Sequence, residues 1–359
     1  MHPYSPGKPI DEVKRELGLS EVVKLASNEN PLGPSPKAIA AVKAAAEEMH
    51  LYPDGAAYDL KQAISAKFGV PHNRVVVGNG SDEIIHMLGL VMLSGPEDEV
   101  IVGEPSFVRY DAAAHLAPSK LIKVPLDSDY RHDLSAMAAR VTPNTKMVFV
   151  ANPNNPTGTV VGRREVDAFL RDVPSDVLLI LDEAYLEFAE HLEDYPASTL
   201  YLDRPNVVGL RTFSKTHGLA GIRVGYGFVP EWLSDAIDRA REPFDVNALA
   251  QAAGIAALSD TEHVRRTLEN NTRGMKRLNE FLVAHGARPV ESYANFVLAD
   301  FGRPARPLFD QLLRQGVIVR PGDVLGCPNC LRISIGTDEE MSKLLSALEQ
   351  SMGVESLSH

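Results

Sequence analysis

Apolar positions in the first two thirds of the chain fall in short, nearly unbroken runs, at residues 75–77, 100–102, 120–124, 147–150, 177–181 and 207–210. Each is rich in β-branched residues and bounded by turn formers. A run that is apolar throughout, rather than at every second position, predicts a strand covered on both faces. Between several of them lie stretches such as 81–93 and 163–170, where apolar residues recur every three or four positions and predict helices. Strands alternating with helices give an α/β class with a mostly parallel central sheet flanked by helices.

After about residue 260 the pattern changes. A long charged stretch, 261–285, carries Val264, Leu268, Met275, Leu278 and Leu282 at helical spacing. Short strand candidates follow at 296–299, 317–319 and 331–335, with helices at 306–315 and 339–351. This pattern predicts a smaller α+β domain. The first 27 residues read as loop-rich and are expected to pack against it. The expected division is therefore a large domain, 28–260, and a small one made of 1–27 and 261–359, which suits a chain of 359 residues. There is no internal repeat and no flexible Gly/Ser linker.

Composition narrows the choice of partner. With 36 Lys+Arg against 48 Asp+Glu, the net charge is −12, which argues against nucleic acid or an anionic membrane as the main partner. An anionic ligand must then be held by a local cationic pocket. No run approaches the ~20 apolar residues that span a bilayer, and the N-terminus lacks the basic-then-apolar pattern of a signal peptide. A cytoplasmic protein is expected. Cys327 and Cys330, in Cys-Pro-Asn-Cys, are the only cysteines. They read as ordinary thiols in a turn. A zinc site needs two more ligands, and a redox motif needs a thioredoxin-like context, so no metal is expected.

Candidate chemistry concentrates in three segments. Asp182 closes the apolar run 178–181, and in open α/β sheets ligands sit at the carboxyl ends of strands. An acid there can pair with a pyridinium nitrogen or simply cap the following helix. Tyr185 and Asn155, the latter within Asn152-Pro153-Asn154-Asn155-Pro156-Thr157-Gly158, supply a phenol and an amide suited to an aromatic 3′-oxygen. Lys215 lies in Ser214-Lys215-Thr216-His217-Gly218-Leu219-Ala220-Gly221-Ile222-Arg223. An amine that condenses with an aldehyde must shed its proton, aided by burial or by nearby cations such as Arg211 and Arg223. The third segment, Gly78-Asn79-Gly80-Ser81-Asp82-Glu83, joins a strand to a helix and can present free N–H groups to an anion. It lacks the marks of a P-loop or a dinucleotide fingerprint. With Ser214 and Arg223 it forms a cup for a phosphate monoester. An aldehyde for the amine, a ring nitrogen for the acid and a phosphate for the cation together describe pyridoxal phosphate.

These motifs resemble those of the fold-type I pyridoxal-phosphate aminotransferases of class I/II, over nearly the whole chain. Within them the closest resemblance is to histidinol-phosphate aminotransferases, carried by Tyr4-Ser5-Pro6-Gly7-Lys8, Ala26-Ser27-Asn28-Glu29-Asn30-Pro31-Leu32-Gly33, Arg211-Thr212-Phe213-Ser214-Lys215 and Cys330-Leu331-Arg332-Ile333-Ser334-Ile335-Gly336-Thr337. The resemblance implies that Lys215 joins the cofactor aldehyde, that Asp182 holds the ring nitrogen, and that Asn155 and Tyr185 bond the 3′-oxygen. Thr212, Ser214, Arg223 and the Gly80, Ser81, Asp82 turn would hold the phosphate. Phe107 would stack on the ring, in a position where many relatives carry tyrosine. Tyr52 would reach the cofactor phosphate of a neighbouring subunit, which implies a homodimer. Tyr4, Asn28, Arg320 and Arg332 stand at substrate-binding positions, with Arg332 as the anion-binding arginine.

The implied activity is amino transfer from L-histidinol phosphate, a phosphorylated amino alcohol, to the 2-oxo acid 2-oxoglutarate, in histidine biosynthesis. An aromatic amino-acid aminotransferase and a threonine-phosphate decarboxylase share this apparatus. A non-catalytic regulator on the same fold would need an added DNA-binding segment, and none is visible.

Overall fold

The computed structural model describes residues 9–116 and 118–355. Thirteen strands occur among them: β1 Val23–Lys24, β2 Val75–Gly78, β3 Glu99–Glu104, β4 Lys120–Pro125, β5 Thr145–Ala151, β6 Leu178–Asp182, β7 Val207–Thr212, β8 Gly225–Phe228, β9 Arg288–Pro289, β10 Phe296–Asp300, β11 Val317–Ile318, β12 Arg320–Pro321 and β13 Cys330–Ser334. Seven form one sheet in the order β2-β8-β7-β6-β5-β3-β4. Neighbours from β7 through β4 are parallel, whereas β8 is antiparallel to both β7 and β2. Being antiparallel to β8, β2 again runs in the direction of the others.

The unbroken apolar runs have the expected cause. On β6, Leu178 and Ile180 enter a core with Met87, Leu88, Tyr110 and Phe149, while Leu179 and Leu181 enter a second core with Phe169, Val150 and Tyr201. Helices thus cover the sheet on both faces, as its mostly parallel class requires. Strand β8 gives no such signal, because Gly-Tyr-Gly-Phe carries no apolar run. Its first glycine is structural: a Cβ on Gly225 would collide with the Ser81 backbone nitrogen.

A four-stranded antiparallel sheet, β12-β13-β10-β9, lies beyond the main one. It buries Val297, Leu331 and Ile333 with Leu278 and Leu282 from the helix Thr261–Ala284, Leu312 from Arg306–Arg314 and Leu344 from Asp338–Glu355. Val23 and Leu25 join the same core, and β1 pairs with β11 in parallel. The early residues expected to be loop-rich contain a helix, Ile10–Leu17, with Val13 buried and Gly18 closing its C-terminus at φ 66°. Ile10, Val13 and Leu17 have helical spacing, a signal too short to stand out from the sequence.

Six strands, β2 to β7, end at one edge of the main sheet, and that edge is pinned from below. Glu183, just after β6, accepts hydrogen bonds from Arg211 Nε on β7 at 2.8 Å, from Ser198 Oγ at 2.6 Å and from the Ser198 backbone at 2.5 Å. Arg211 in turn lies over the rings of Phe68 and Phe228 at 4.8 and 4.9 Å. Both charges are buried, so each depends on the other for what water no longer supplies. Glu183→Gln is therefore expected to lower the unfolding free energy of the protein by roughly 3 to 5 kcal/mol. Equilibrium urea denaturation measures this, and a loss below about 1 kcal/mol would contradict the buried-pair account.

Candidate active site

At the shared edge a cavity of about 230 Å3 opens, lined by residues that lie far apart in sequence. Asp182 enters it from the end of β6 and Lys215 from the turn after β7. Thr212, Ser214, Ser81, Asp82, Asn155, Tyr185, Phe107 and Arg223 complete its lower part. Arg320 on β12, Arg332 on β13 and Asn28 close it from the side of the smaller sheet. One predicted residue lies elsewhere. Tyr52 stands on the surface, 83% exposed, stacked on Phe244 at 4.7 Å between ring centroids. Tyr4 lies outside the described residues. A larger groove of about 550 Å3, bordered by Tyr130, Arg131, Glu165 and Arg288, contains none of the predicted site residues.

The expected phosphate cup is built from backbone geometry as much as from side chains. Gly80 caps the helix Ser81–Met92 with φ 79° and no side-chain capping bond, so the first-turn N–H groups keep their capacity for an anion. The Arg223 guanidinium packs directly on this glycine: a Cβ there would collide with Nη2. Arg223 itself adopts φ 61°, an uncommon left-handed conformation for a side chain of its size. Its bonds are long, 3.2 Å to the Ala220 carbonyl and 3.3 Å to Asp82. Thr212 Oγ1 donates to Ser214 Oγ at 2.9 Å and accepts from the Ser214 backbone at 3.1 Å, which holds both hydroxyls at the same rim.

Asp182 is buried, and among the described residues both donors to it are neutral: the Tyr110 hydroxyl at 2.7 Å and the Ala184 backbone N–H at 3.1 Å. Burial pushes its carboxyl up to about 6, against the pull of the Tyr110 bond. A buried carboxylate supplied only with neutral donors suits a protonated ring nitrogen, so this residue fits the cofactor the sequence implies. The helix-capping alternative does not hold, because Leu186–Ala189 is preceded by Tyr185 without a side-chain cap. Lys215 Nζ sits 5.6 Å from the centroid of the Tyr185 ring. Of the two cations expected near the lysine, Arg223 lines the cavity, whereas Arg211 is committed to Glu183 beneath the sheet edge.

The residues expected to meet substrate are tied by hydrogen bonds to those expected to hold the cofactor. Arg332 donates to Asn155 Oδ1 at 2.6 Å and to the Ala26 carbonyl at 2.7 Å. Asn28, held at φ 55°, donates from Nδ2 to the Tyr185 hydroxyl at 2.9 Å. Its Oδ1 accepts from Ser334 Oγ at 2.8 Å. The side chain expected to meet substrate is thus engaged with Tyr185 and Ser334, which makes it a brace between β13 and the phenol. Phe107 borders the cavity and meets Tyr110 edge-on at 5.6 Å, partly buried against the core. Sequence reasoning misses Tyr110 altogether, since a lone tyrosine in an apolar stretch reads as core. Cys327 and Cys330 are buried away from this cavity, in a turn closed by Cys330 N–H to the Cys327 carbonyl at 2.9 Å.

The Gly80–Arg223 contact gives a sharp expectation. Gly80→Ala must displace the guanidinium and strain a positive φ, so the affinity of the cofactor-free protein for pyridoxal phosphate should fall at least about tenfold. Calorimetric titration checks it, with circular dichroism unchanged; unaltered affinity would remove Arg223 from the phosphate cup.

The family model described as aminotransferase class I and II matches residues 20–348. Among curated relatives, the histidinol-phosphate aminotransferase of Moorella thermoacetica is 50% identical over 355 residues, 98% of this chain and 90% of its own. That of Bacillus velezensis is 44% identical, spanning 98% of this chain and 97% of its own. The crystal structure of histidinol-phosphate aminotransferase from Sinorhizobium meliloti, in complex with pyridoxal 5′-phosphate, aligns with a TM-score of 0.91 at 30% identity, covering 98% of this chain and 96% of that one. This coverage, together with the arrangement of lysine, acid and arginine at the sheet edge, shows that the chain belongs to the class I and II aminotransferases.

Proposed function

We propose that this chain transfers the amino group of L-histidinol phosphate to 2-oxoglutarate, giving imidazole acetol phosphate and glutamate, with pyridoxal phosphate as cofactor. The observation that carries the reading is one cavity holding Lys215, a buried carboxylate with neutral donors, an uncapped helix end and two arginines on the substrate side. The names of relatives at 44–50% identity support the substrate. When bound, the cofactor supplies an aldehyde carbon that carries the amino group and a ring that accepts electrons from the substrate.

The chain's own residues do the rest. Lys215 Nζ would hold the aldehyde carbon and would move the proton of the substrate α-carbon. Asp182 holds the ring-nitrogen proton. Asn155 and Tyr185 hold the 3′-oxygen, the phenol braced by Asn28. Thr212, Ser214, Arg223 and the turn at Gly80, Ser81 and Asp82 bind the cofactor phosphate, and Phe107 stacks on the ring. Arg332, with Arg320 beside it across the β12–β13 pairing, takes the phosphate of one substrate and a carboxylate of the other, so one pocket serves both half-reactions. Residues 28–260 would then act as the large domain and 1–27 with 261–359 as the small one, a division supported by the core that Val23 and Leu25 share with the later helices.

The reading includes a homodimer. Met49, Leu51, Tyr52 and Tyr58 are all exposed, and Tyr52 rests on Phe244, an apolar surface that a second copy would cover. Tyr52 would then complete the phosphate cup of its partner.

Three measurements follow. Lys215→Ala should lose the visible cofactor band and all turnover. The unsubstituted enzyme should convert its band and form glutamate with histidinol phosphate and 2-oxoglutarate, respond weakly to phenylalanine, and release no carbon dioxide from threonine phosphate. Carbon dioxide release from threonine phosphate would indicate the decarboxylase, and preference for phenylalanine the aromatic aminotransferase. Mixing Lys215→Ala with Tyr52→Ala subunits should restore activity above that of either alone, because one site of the mixed dimer regains both residues; no gain in demonstrably mixed dimers would place Tyr52 outside the site.

A further inference from the structure

Tyr110 lies on the short helix Arg109–Ala114, fully buried. Its ring rests on Phe149, with centroids 4.6 Å apart and planes 16° from parallel, and Phe107 meets it edge-on. Held in this way, its hydroxyl donates to Asp182 Oδ2 at 2.7 Å, while Asp182 Oδ1 accepts from the Ala184 backbone at 3.1 Å. Each carboxylate oxygen therefore has one neutral donor. Rotating the carboxylate would break both bonds in a place where little water can replace them.

We propose that Tyr110 is the positioning residue for Asp182: its hydroxyl fixes the plane of the carboxylate, so that the lone pairs left by Tyr110 and Ala184 are offered to the cofactor's ring nitrogen. The proposal rests on the reading of Asp182 as the partner of that nitrogen. The same bond acts on charge. Burial raises the Asp182 carboxyl to about 6, and the Tyr110 hydrogen bond is the largest influence pulling it down. Asp82 and Glu183 push it up, and the other charges lining the cavity are Lys215, Arg223, Arg320 and Arg332. Burial, followed by the Asp182 charge, holds the Tyr110 phenol well above its ordinary value, so it remains a donor. Removing the hydroxyl moves the carboxyl above about 6, and more of the cofactor-free protein then carries a neutral acid at neutral pH. A neutral acid cannot pair with a positive ring nitrogen. Cofactor affinity in Tyr110→Phe should thus fall relative to wild type, and fall further as pH drops.

The test is calorimetric titration of the cofactor-free wild type, Tyr110→Phe and Asp182→Asn with pyridoxal phosphate, from about pH 8.5 to about pH 6. Tyr110→Phe should bind about tenfold more weakly near pH 7, with the ratio to wild type growing toward the acid end and shrinking toward the alkaline end. Asp182→Asn should bind weakly throughout. If Asp182→Asn binds as wild type does, the reading of Asp182 fails and the proposal with it. If Asp182→Asn is impaired while Tyr110→Phe follows wild type, the Tyr110 proposal alone is overturned. A constant loss at every pH would mark packing damage and overturn it equally. A second variant, 3-fluorotyrosine at position 110, preserves the ring and strengthens the donor. It should displace the pH break downward, and an unmoved break would refute the proposal.

Discussion

Two neighbouring acids at the end of β6 set the terms for the rest of the structure. Residue 182 closes a strand whose side chains alternate between faces, residue 183 comes next, and their carboxylates meet opposite fates. Glu183 is buried with Arg211 and two donors from Ser198, and its charge binds β6 to β7 and to the segment behind them. Asp182 is buried with donors that carry no charge. Burial without a cation is unfavourable for the ionised form, so this carboxylate is pushed up to about 6, and the proposed ring nitrogen would give it the cation that the chain does not. The paired acid makes this tolerable, because it anchors the sheet edge on which the unpaired one stands.

The main sheet is legible because its strands are covered on both faces, and continuous apolar runs survive as a signal wherever helices pack from either side. The run at 147–150 becomes, in the fold, the alternating contribution of β5 to two cores: Met147 and Phe149 enter one, Val148 and Val150 the other. Strand β8 is illegible for a related reason. It approaches the backbone of Ser81 so closely that glycine is required at Gly225, and a strand chosen for thinness shows no hydrophobic run. The motif residues of the cavity can be found because unusual chemistry gathers in short strings after the strands. Tyr110 and the bracing by Asn28 cannot, since their meaning lies in partners 72 and 157 positions away.

Arg332 and Asn155 show how the two halves of the cavity share one set of hydrogen bonds. The arginine belongs to β13 and the amide to the turn after β5, and they meet at 2.6 Å. Ser334, two residues along β13 and so on the same face as Arg332, holds Asn28, which holds Tyr185. A movement of β13 toward a substrate anion would therefore be felt at both groups proposed for the cofactor's 3′-oxygen. Coupling of this kind needs no long-range pathway, because each link is a single hydrogen bond between buried or half-buried atoms.

The charge of the molecule gives this arrangement a further purpose. A chain with net charge −12 repels anionic substrates at long range. Among the described residues, however, the cavity is lined by Lys215, Arg223, Arg320 and Arg332 against only Asp82 and Asp182. Ions in water screen the distant acids within about 8 Å at physiological salt, whereas groups inside the cavity act across a less polar medium at short range. Local cations therefore outweigh the overall field once a ligand has reached the mouth. Because a mobile guanidinium would pair with the abundant surface acids, the cations must be held in place. The glycine beneath Arg223 and the amide beside Arg332 supply that restraint.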